Sequence, residues 1–226
     1  MVWYVPPLSP VMSMVEGEGS AADPDDVFPA IEEARVNRRQ LLSYLLQYPD
    51  RELYEAQPEL VRAASGEPVL ERFVAQRGSR TPESLEREYV EAFDFDRRAS
   101  LHLTYHTHGD SRARGLALVR LKRRYREAGF SLAGSELPDY LPVLLEFAAL
   151  EPDLGDALLN EHRASLELIG SRLHERASAY AVLLDAVVAG LPRPTKAQLD
   201  AARRIAEEGP PAELVGLEPF AAGTVP

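Results

Sequence analysis

The sequence predicts an all-α protein, a single helical domain of roughly eight helices. Three observations carry this. Ala, Leu, Glu and Arg, all good helix formers, dominate the composition. Val and Ile are not gathered into alternating runs, and no Asn-Gly pair marks a hairpin. Apolar residues recur instead at spacings of three and four, bracketed by residues that start and stop helices.

Taken in order, residues 1–27 combine Pro6, Pro7, Pro10 and Pro24 with Gly17, Gly19 and several acids, a composition expected to be a disordered extension. The helical domain is expected over 28–209. Its first helix runs from about Pro29 to Tyr48 on the face of Ala34, Leu41, Leu42, Leu45 and Leu46, with Pro49 ending it. Helices at about 51–64 and 68–77 follow. Thr81 is an N-cap with Pro82 at the first helical position, which starts a helix through about Phe93. Asp110 is the expected N-cap of the next, ending near Ala128 with Gly129 beyond it. Its apolar stripe is Ala117, Leu118, Leu121, Tyr125 and Ala128. The helix of Val143, Leu144, Phe147 and Leu150 comes next. Pro152 opens a long one, broken near Glu175 to Ser178, and Tyr180 to Leu191 completes the apolar complement. Thr195-Lys196-Ala197-Gln198 is a capping box whose helix stops at Gly209, leaving 210–226 as a loose tail.

Composition excludes whole classes of function. The chain of 226 residues has no cysteine, so disulfides, thiolate nucleophiles and thiolate-bound clusters are ruled out. A net charge of -11 argues against general affinity for nucleic acid or anionic membrane. No Lys or Arg precedes Arg35, so no basic export signal is expected, and no run of 18 apolar residues offers a membrane span. A cytoplasmic protein without direct membrane insertion is the expectation.

Candidate functional residues crowd between Tyr89 and Gly115. Three of the five histidines lie here, His102, His106 and His108. With Asp110 they invite a metal-dependent enzyme reading, since His102 and His106 would share a helix face. Against it, Leu103 stands where His-Glu-x-x-His needs its glutamate, and a helix break separates His106 from His108. Histidines hydrogen-bonded along a groove are the favoured reading. No glycine-rich phosphate loop or nucleophile elbow is present, so an enzyme is not expected. Between Arg97 and Arg126 nine basic residues face one acid. The basic helix from Arg112, including Arg114, suits either a solvated face or a landing site for an acidic or phosphate-bearing partner. A nucleotide-dependent factor is a third reading. Tyr89 and Phe93, four residues apart, suit either core packing or contact with an incoming peptide.

Several runs match a known pattern. They are Tyr89-Val90-Glu91-Ala92-Phe93-Asp94, Leu101 to Asp110 followed by Arg112-Ala113-Arg114-Gly115, and Glu136-Leu137-Pro138-Asp139-Tyr140-Leu141-Pro142-Val143-Leu144-Leu145-Glu146-Phe147. Leu45 to Asp50 and Gly216 to Phe220 extend them. Over about residues 38 to 220 the chain resembles the respiratory nitrate reductase delta-subunit family, the NarJ-type molybdenum-cofactor assembly chaperones of the broader TorD and DmsD type. That resemblance implies an all-helical cytosolic chaperone. It would bind the amino-terminal segment of the apo catalytic subunit and permit insertion of the molybdenum cofactor. It would hold no cofactor stably, with at most a transient contact with molybdenum guanine dinucleotide during loading. The implied client-peptide site comprises Tyr89, Phe93, Tyr105, His106, His108, Arg114, Glu136, Pro138, Asp139 and Tyr140, lining one groove. Ala92 stands where related chaperones often have Leu, and Tyr140 where they often have His.

Overall fold

A computed structural model describes residues 12–14, 37–132, 135–196, 198, 200 and 204. Among these the chain is all-α, with eleven helices and one short two-stranded ribbon. The elements are β1 (Met12–Met14), α1 (Arg38–Leu45), α2 (Arg51–Glu55), α3 (Gln57–Ala63), α4 (Pro68–Arg77), α5 (Pro82–Phe93), α6 (Leu103–His108), α7 (Arg112–Glu127), β2 (Phe130–Leu132), α8 (Leu141–Leu150), α9 (Pro152–Glu161), α10 (Arg163–Glu175) and α11 (Ala181–Ala189). A 3-10 turn at Arg97–Ala99 precedes α6.

The interior is organised around α8, which is apolar except for Glu146 and buried from Leu141 to Ala148. Helices α1 and α9 pack on it, and α11 packs on α10. The approach of α9 is close because position 155 is glycine: a Cβ there would lie 2.2 Å from Ala148 Cα. Tyr125 and Phe147, both fully buried, stack at 4.7 Å between ring centroids and tie α7 to α8.

Local chemistry explains most boundaries. The Thr81 hydroxyl accepts the Ser84 N–H at 3.3 Å with Pro82 behind it, so α5 starts as its sequence dictates. Asn37 caps α1 by accepting the Arg39 N–H at 2.9 Å, and Asp50 caps α2 by accepting the Leu53 N–H at 2.9 Å. The first helix ends at Leu45 rather than Tyr48, because Pro49 holds the residue before it away from helical backbone; the expected stretch 29–36 lies outside the described residues. The expected 51–64 helix is two helices, since Pro58 lacks the N–H needed to continue α2. The long helix after Pro152 divides at His162, and its expected break near 175–178 is present, with Ala177 in left-handed backbone at φ 51°. Gly129 takes its expected place after α7 at φ 88°. Thr195 and Gln198 form the reciprocal capping box: the Thr195 hydroxyl accepts the Gln198 N–H at 3.3 Å and Gln198 Oε1 accepts the Thr195 N–H at 2.8 Å.

Two features depart from the sequence reading. The N-cap of helix α7 is Ser111, one residue after Asp110, and it makes no side-chain capping hydrogen bond; Asp110 pairs instead with the Arg114 side chain at 3.6 Å. Within the stretch expected to be disordered, Met12–Met14 forms a strand antiparallel to β2, with Met12 opposite Leu132 and Met14 opposite Phe130. Met12 is buried in the core cluster. The rest of 1–27, most of the 195–209 helix and the 210–226 tail lie outside the described residues.

Candidate functional site

The stretch from Tyr89 to Tyr105 and the loop from Glu136 to Tyr140 meet at one junction. Leu103 N–H donates to the Asp139 carbonyl and Leu141 N–H to the Leu101 carbonyl, each at 2.9 Å, so 101–103 and 139–141 lie side by side as a single bridge between His102 and Tyr140. The His102 and Tyr140 rings sit face to face at 5.3 Å, tilted by 35°. One side of this bridge is aromatic and the other ionic.

The aromatic side is built by α5. Helical spacing of four puts Tyr89 and Phe93 on its buried face, with 6% and 5% exposure and ring centroids 4.8 Å apart. Tyr180 packs against both, at 5.8 and 4.9 Å, and Tyr48 meets the Tyr89 edge at 5.5 Å. The Tyr89 hydroxyl lies 3.2 Å from the Leu46 carbonyl and 2.9 Å from the Tyr140 hydroxyl. A carbonyl can only accept, so Tyr89 donates to Leu46 and Tyr140 donates to Tyr89. Burial pushes the Tyr140 hydroxyl up to about 12, and burial followed by the neighbouring Tyr140 raises Tyr89 well above its ordinary value. Both hydroxyls stay protonated and hold the chain of bonds.

The ionic side centres on Asp139, which is fully buried. Its carboxylate accepts the Thr104 N–H at 3.2 Å, the Thr104 hydroxyl, and His102 Nδ1 at 3.3 Å, with Arg114 Nη2 at 3.6 Å. Burial alone would raise this carboxyl, but the bonds from His102 and Thr104 and the charges of His102 and Arg114 outweigh it, and Asp139 is held below the usual carboxylate range. The Arg114 guanidinium lies over the Tyr105 ring at 5.8 Å and also reaches Asp110. Tyr105 accepts from Arg97 at 3.4 Å. Pro138 is buried, and its carbonyl takes the Tyr125 hydroxyl at 2.7 Å. Glu136 is exposed at the start of the loop.

The histidines do not converge. His102 turns to Asp139, whereas His106, fully buried, donates Nε2–H to the Ser100 carbonyl at 2.8 Å and leaves Nδ1 without a hydrogen-bond partner. Burial depresses the His106 pKa. His108 is half-buried and is depressed by burial and then by Arg120. His106 and His108 also lie together within α6, not across a break. Among the described residues no group of three or more His, Asp or Glu could hold a metal ion, so the metal-dependent reading of His102, His106 and His108 is overturned by geometry. His102 and His106 are committed to different neighbours, Asp139 and Ser100.

The structure thus joins Tyr89, Phe93, Tyr105, Arg114, Pro138, Asp139 and Tyr140 in one junction and leaves His108 aside. It also corrects the picture of an open trough, since Tyr89, Phe93, His106, Pro138 and Asp139 are buried. Accessible side chains on and beside these segments include Tyr48, Phe95, His102, Glu136 and Leu137, with Phe95 at 76% exposure. Sequence reasoning missed Phe95, Thr104 and Tyr180. Phe95 alone left a signal, in the repeated Phe-Asp of residues 93–96.

A protein of Bacillus subtilis named as a nitrate reductase molybdenum cofactor assembly chaperone is 36% identical over 157 residues, spanning 66% of this chain and 85% of that one. A corresponding Escherichia coli chaperone is 37% identical over 155 residues, 64% of this chain and 65% of its own length. A 36-residue stretch is 56% identical to part of the nitrate reductase beta chain of Bacillus subtilis, 7% of that protein. A solved structure from Archaeoglobus fulgidus, described as a redox enzyme maturation protein, superposes with a TM-score of 0.54 over 68% of this chain and 92% of its own, at 22% identity, and shares the fold. The sequence profile of one family, described as nitrate reductase delta subunit, matches residues 46–185, which contain the whole junction. The chain therefore belongs to the nitrate reductase delta subunit family, as a NarJ-type chaperone.

Proposed function

We propose that this protein is a system-specific chaperone for respiratory nitrate reductase: it binds the apo catalytic subunit through its amino-terminal segment, keeps it competent for molybdenum cofactor insertion, and leaves before the enzyme is complete. The observation that carries the reading is the family match over residues 46–185, which takes in every residue of the junction. The relatives named above are themselves assembly chaperones for that cofactor. The role places the protein in the cytoplasm, where the cofactor is loaded, with no stable cofactor of its own and only passing contact with molybdenum guanine dinucleotide. Among the described residues no helix is long and apolar enough to cross a membrane.

The contact surface in this reading is the rim of the junction rather than its buried centre. Tyr48, Phe95 and Leu137 offer apolar contacts while Glu136 offers a carboxylate to basic residues of an amphipathic client segment. Isothermal titration of a synthetic peptide of the catalytic subunit's amino terminus into wild type, Phe95→Ala and Glu136→Lys tests this. At least tenfold weaker binding by both variants is expected. Heat of binding that is absent from wild type, or unchanged in both variants, would remove the reading.

A further inference from the structure

Helix α8 carries a single charged side chain, Glu146, and it is buried at 4% exposure in a helix otherwise made of Leu, Pro, Val, Phe and Ala. A carboxylate in such surroundings needs hydrogen bonds to stay there. One comes from outside the helical body: Met12 N–H donates to Glu146 Oε1 at 3.2 Å. The same three-residue strand pairs with β2 on one side and packs on α8, and Met12 fills a core position with 4% exposure. A two-stranded ribbon is marginal by itself, so the support of α8 and the Glu146 bond are what seat it.

The two halves of this contact stand differently to the family match. The receiving half, Phe130–Leu132 with Glu146, lies inside the region matched to the family, 46–185, whereas the seated half, Met12–Met14, lies outside it. We propose that the edge of β2 and the Glu146 carboxylate form a strand-acceptor site, which Met12–Met14 fills in cis and which an extended, uncharged peptide with a straight apolar side chain fills in trans. The strand edge supplies main-chain bonds that read no sequence, as in strand addition generally. Selectivity comes from two places. The Met12 pocket accepts an unbranched apolar side chain, and Glu146 demands an N–H at the same residue, which excludes proline. The rim of Tyr48, Phe95 and Glu136 takes no part, so the site stands or falls separately from the client surface proposed above.

The probe is a fluorescein-labelled, end-blocked peptide of residues 10–15, Pro-Val-Met-Ser-Met-Val, added to the full chain and followed by anisotropy. Met12→Asp unseats the internal strand by placing a carboxylate beside Glu146. Ser13→Pro unseats it by a separate route, through the strand backbone, and circular dichroism shows which variant keeps its helices. The peptide is expected to bind either folded variant at least tenfold more tightly than wild type. A peptide N-methylated at its first methionine, which has the side chain but no N–H for Glu146, is expected to lose that gain. Equal binding to wild type and to the folded variants, or equal binding of the N-methylated peptide, would overturn the proposal.

Discussion

The carboxylate of Asp139 accepts both the main-chain N–H and the hydroxyl of Thr104, 35 residues earlier in the chain. It therefore caps the start of α6 from a distant loop, in the absence of any side-chain cap from His102, the residue at the N-cap position. Removing it leaves the buried donors of Thr104 without their acceptor and takes from half-buried Arg114 one of its two carboxylates, Asp110 being the other. Asp139→Ala is expected to cost about 3 kcal/mol of folding stability at pH 7, typical of breaking one partner out of a buried ionic group. Urea unfolding measures it.

The same carboxylate has a pH signature. Its native pKa is depressed, so its stabilisation is complete above its unfolded value of about 3.9 and is lost as pH falls through the native one. The gap in urea midpoint between wild type and Asp139→Asn is expected to narrow below pH 4. A gap that stays constant down to pH 3 would mean that the carboxylate's charge does nothing for the fold.

Burial lowers His106 in the same acidic direction but over another window. Neutral in the fold and free to protonate once unfolded, it makes the unfolded state bind more protons as pH drops below about 6.5. Stability is expected to fall from pH 7 to pH 5, with His162 and His108 adding to the slope since both are also depressed by burial. His106→Gln retains a donor for Ser100 and should flatten part of that slope in thermal melts across the range.

The hydroxyl chain predicts an order of effects. Tyr89→Phe strands both the Leu46 carbonyl and the Tyr140 hydroxyl, whereas Tyr140→Phe removes only a donor to Tyr89. The first is expected to cost about 2 kcal/mol and the second about 1 kcal/mol. The double variant should cost no more than the first, because the two groups share one bond. Chemical denaturation of the three variants checks the cycle.

Gly155→Ala pushes a methyl into the Ala148 backbone, which belongs to the most buried helix. An expected loss of about 3 kcal/mol follows from forcing α8 and α9 apart. Differential scanning calorimetry would read it as a lowered melting temperature with unchanged helical content at 20 °C.

What was legible in the sequence was local. Thr81 and Pro82 announce α5 within three residues, and the four-residue spacing of Tyr89 and Phe93 places both on one face. Thr195 and Gln198 bond as their capping box requires. What stayed hidden was non-local. Helix α6 has six residues and takes its cap from Asp139, so no nearby residue signals its start. Met12 reads as part of a proline-rich tail until β2 and Glu146 are beside it. Periodicity told which residues of α7 turn inward, Ala117, Leu121 and Tyr125, but the rim of the junction depends on how far α5 sinks into the fold, which no spacing records. The motif residues were marked by the family resemblance of their sequence runs, whereas the burial of Tyr89, Phe93, His106 and Asp139 is set by long-range packing that no local pattern records.

The bond from Tyr89 to Leu46 spans 43 residues and the one from Tyr140 to Tyr89 spans 51, with Tyr180 closing the ring cluster from further still. Such contacts are slow to form because long loops must close first. During synthesis the aromatic knot cannot tighten until the ribosome has released the chain well past Tyr180. A nascent copy whose Tyr180 is still inside the ribosome lacks one wall of that cluster, so Tyr89 and Phe93 reach their full packing only after most of the chain has emerged.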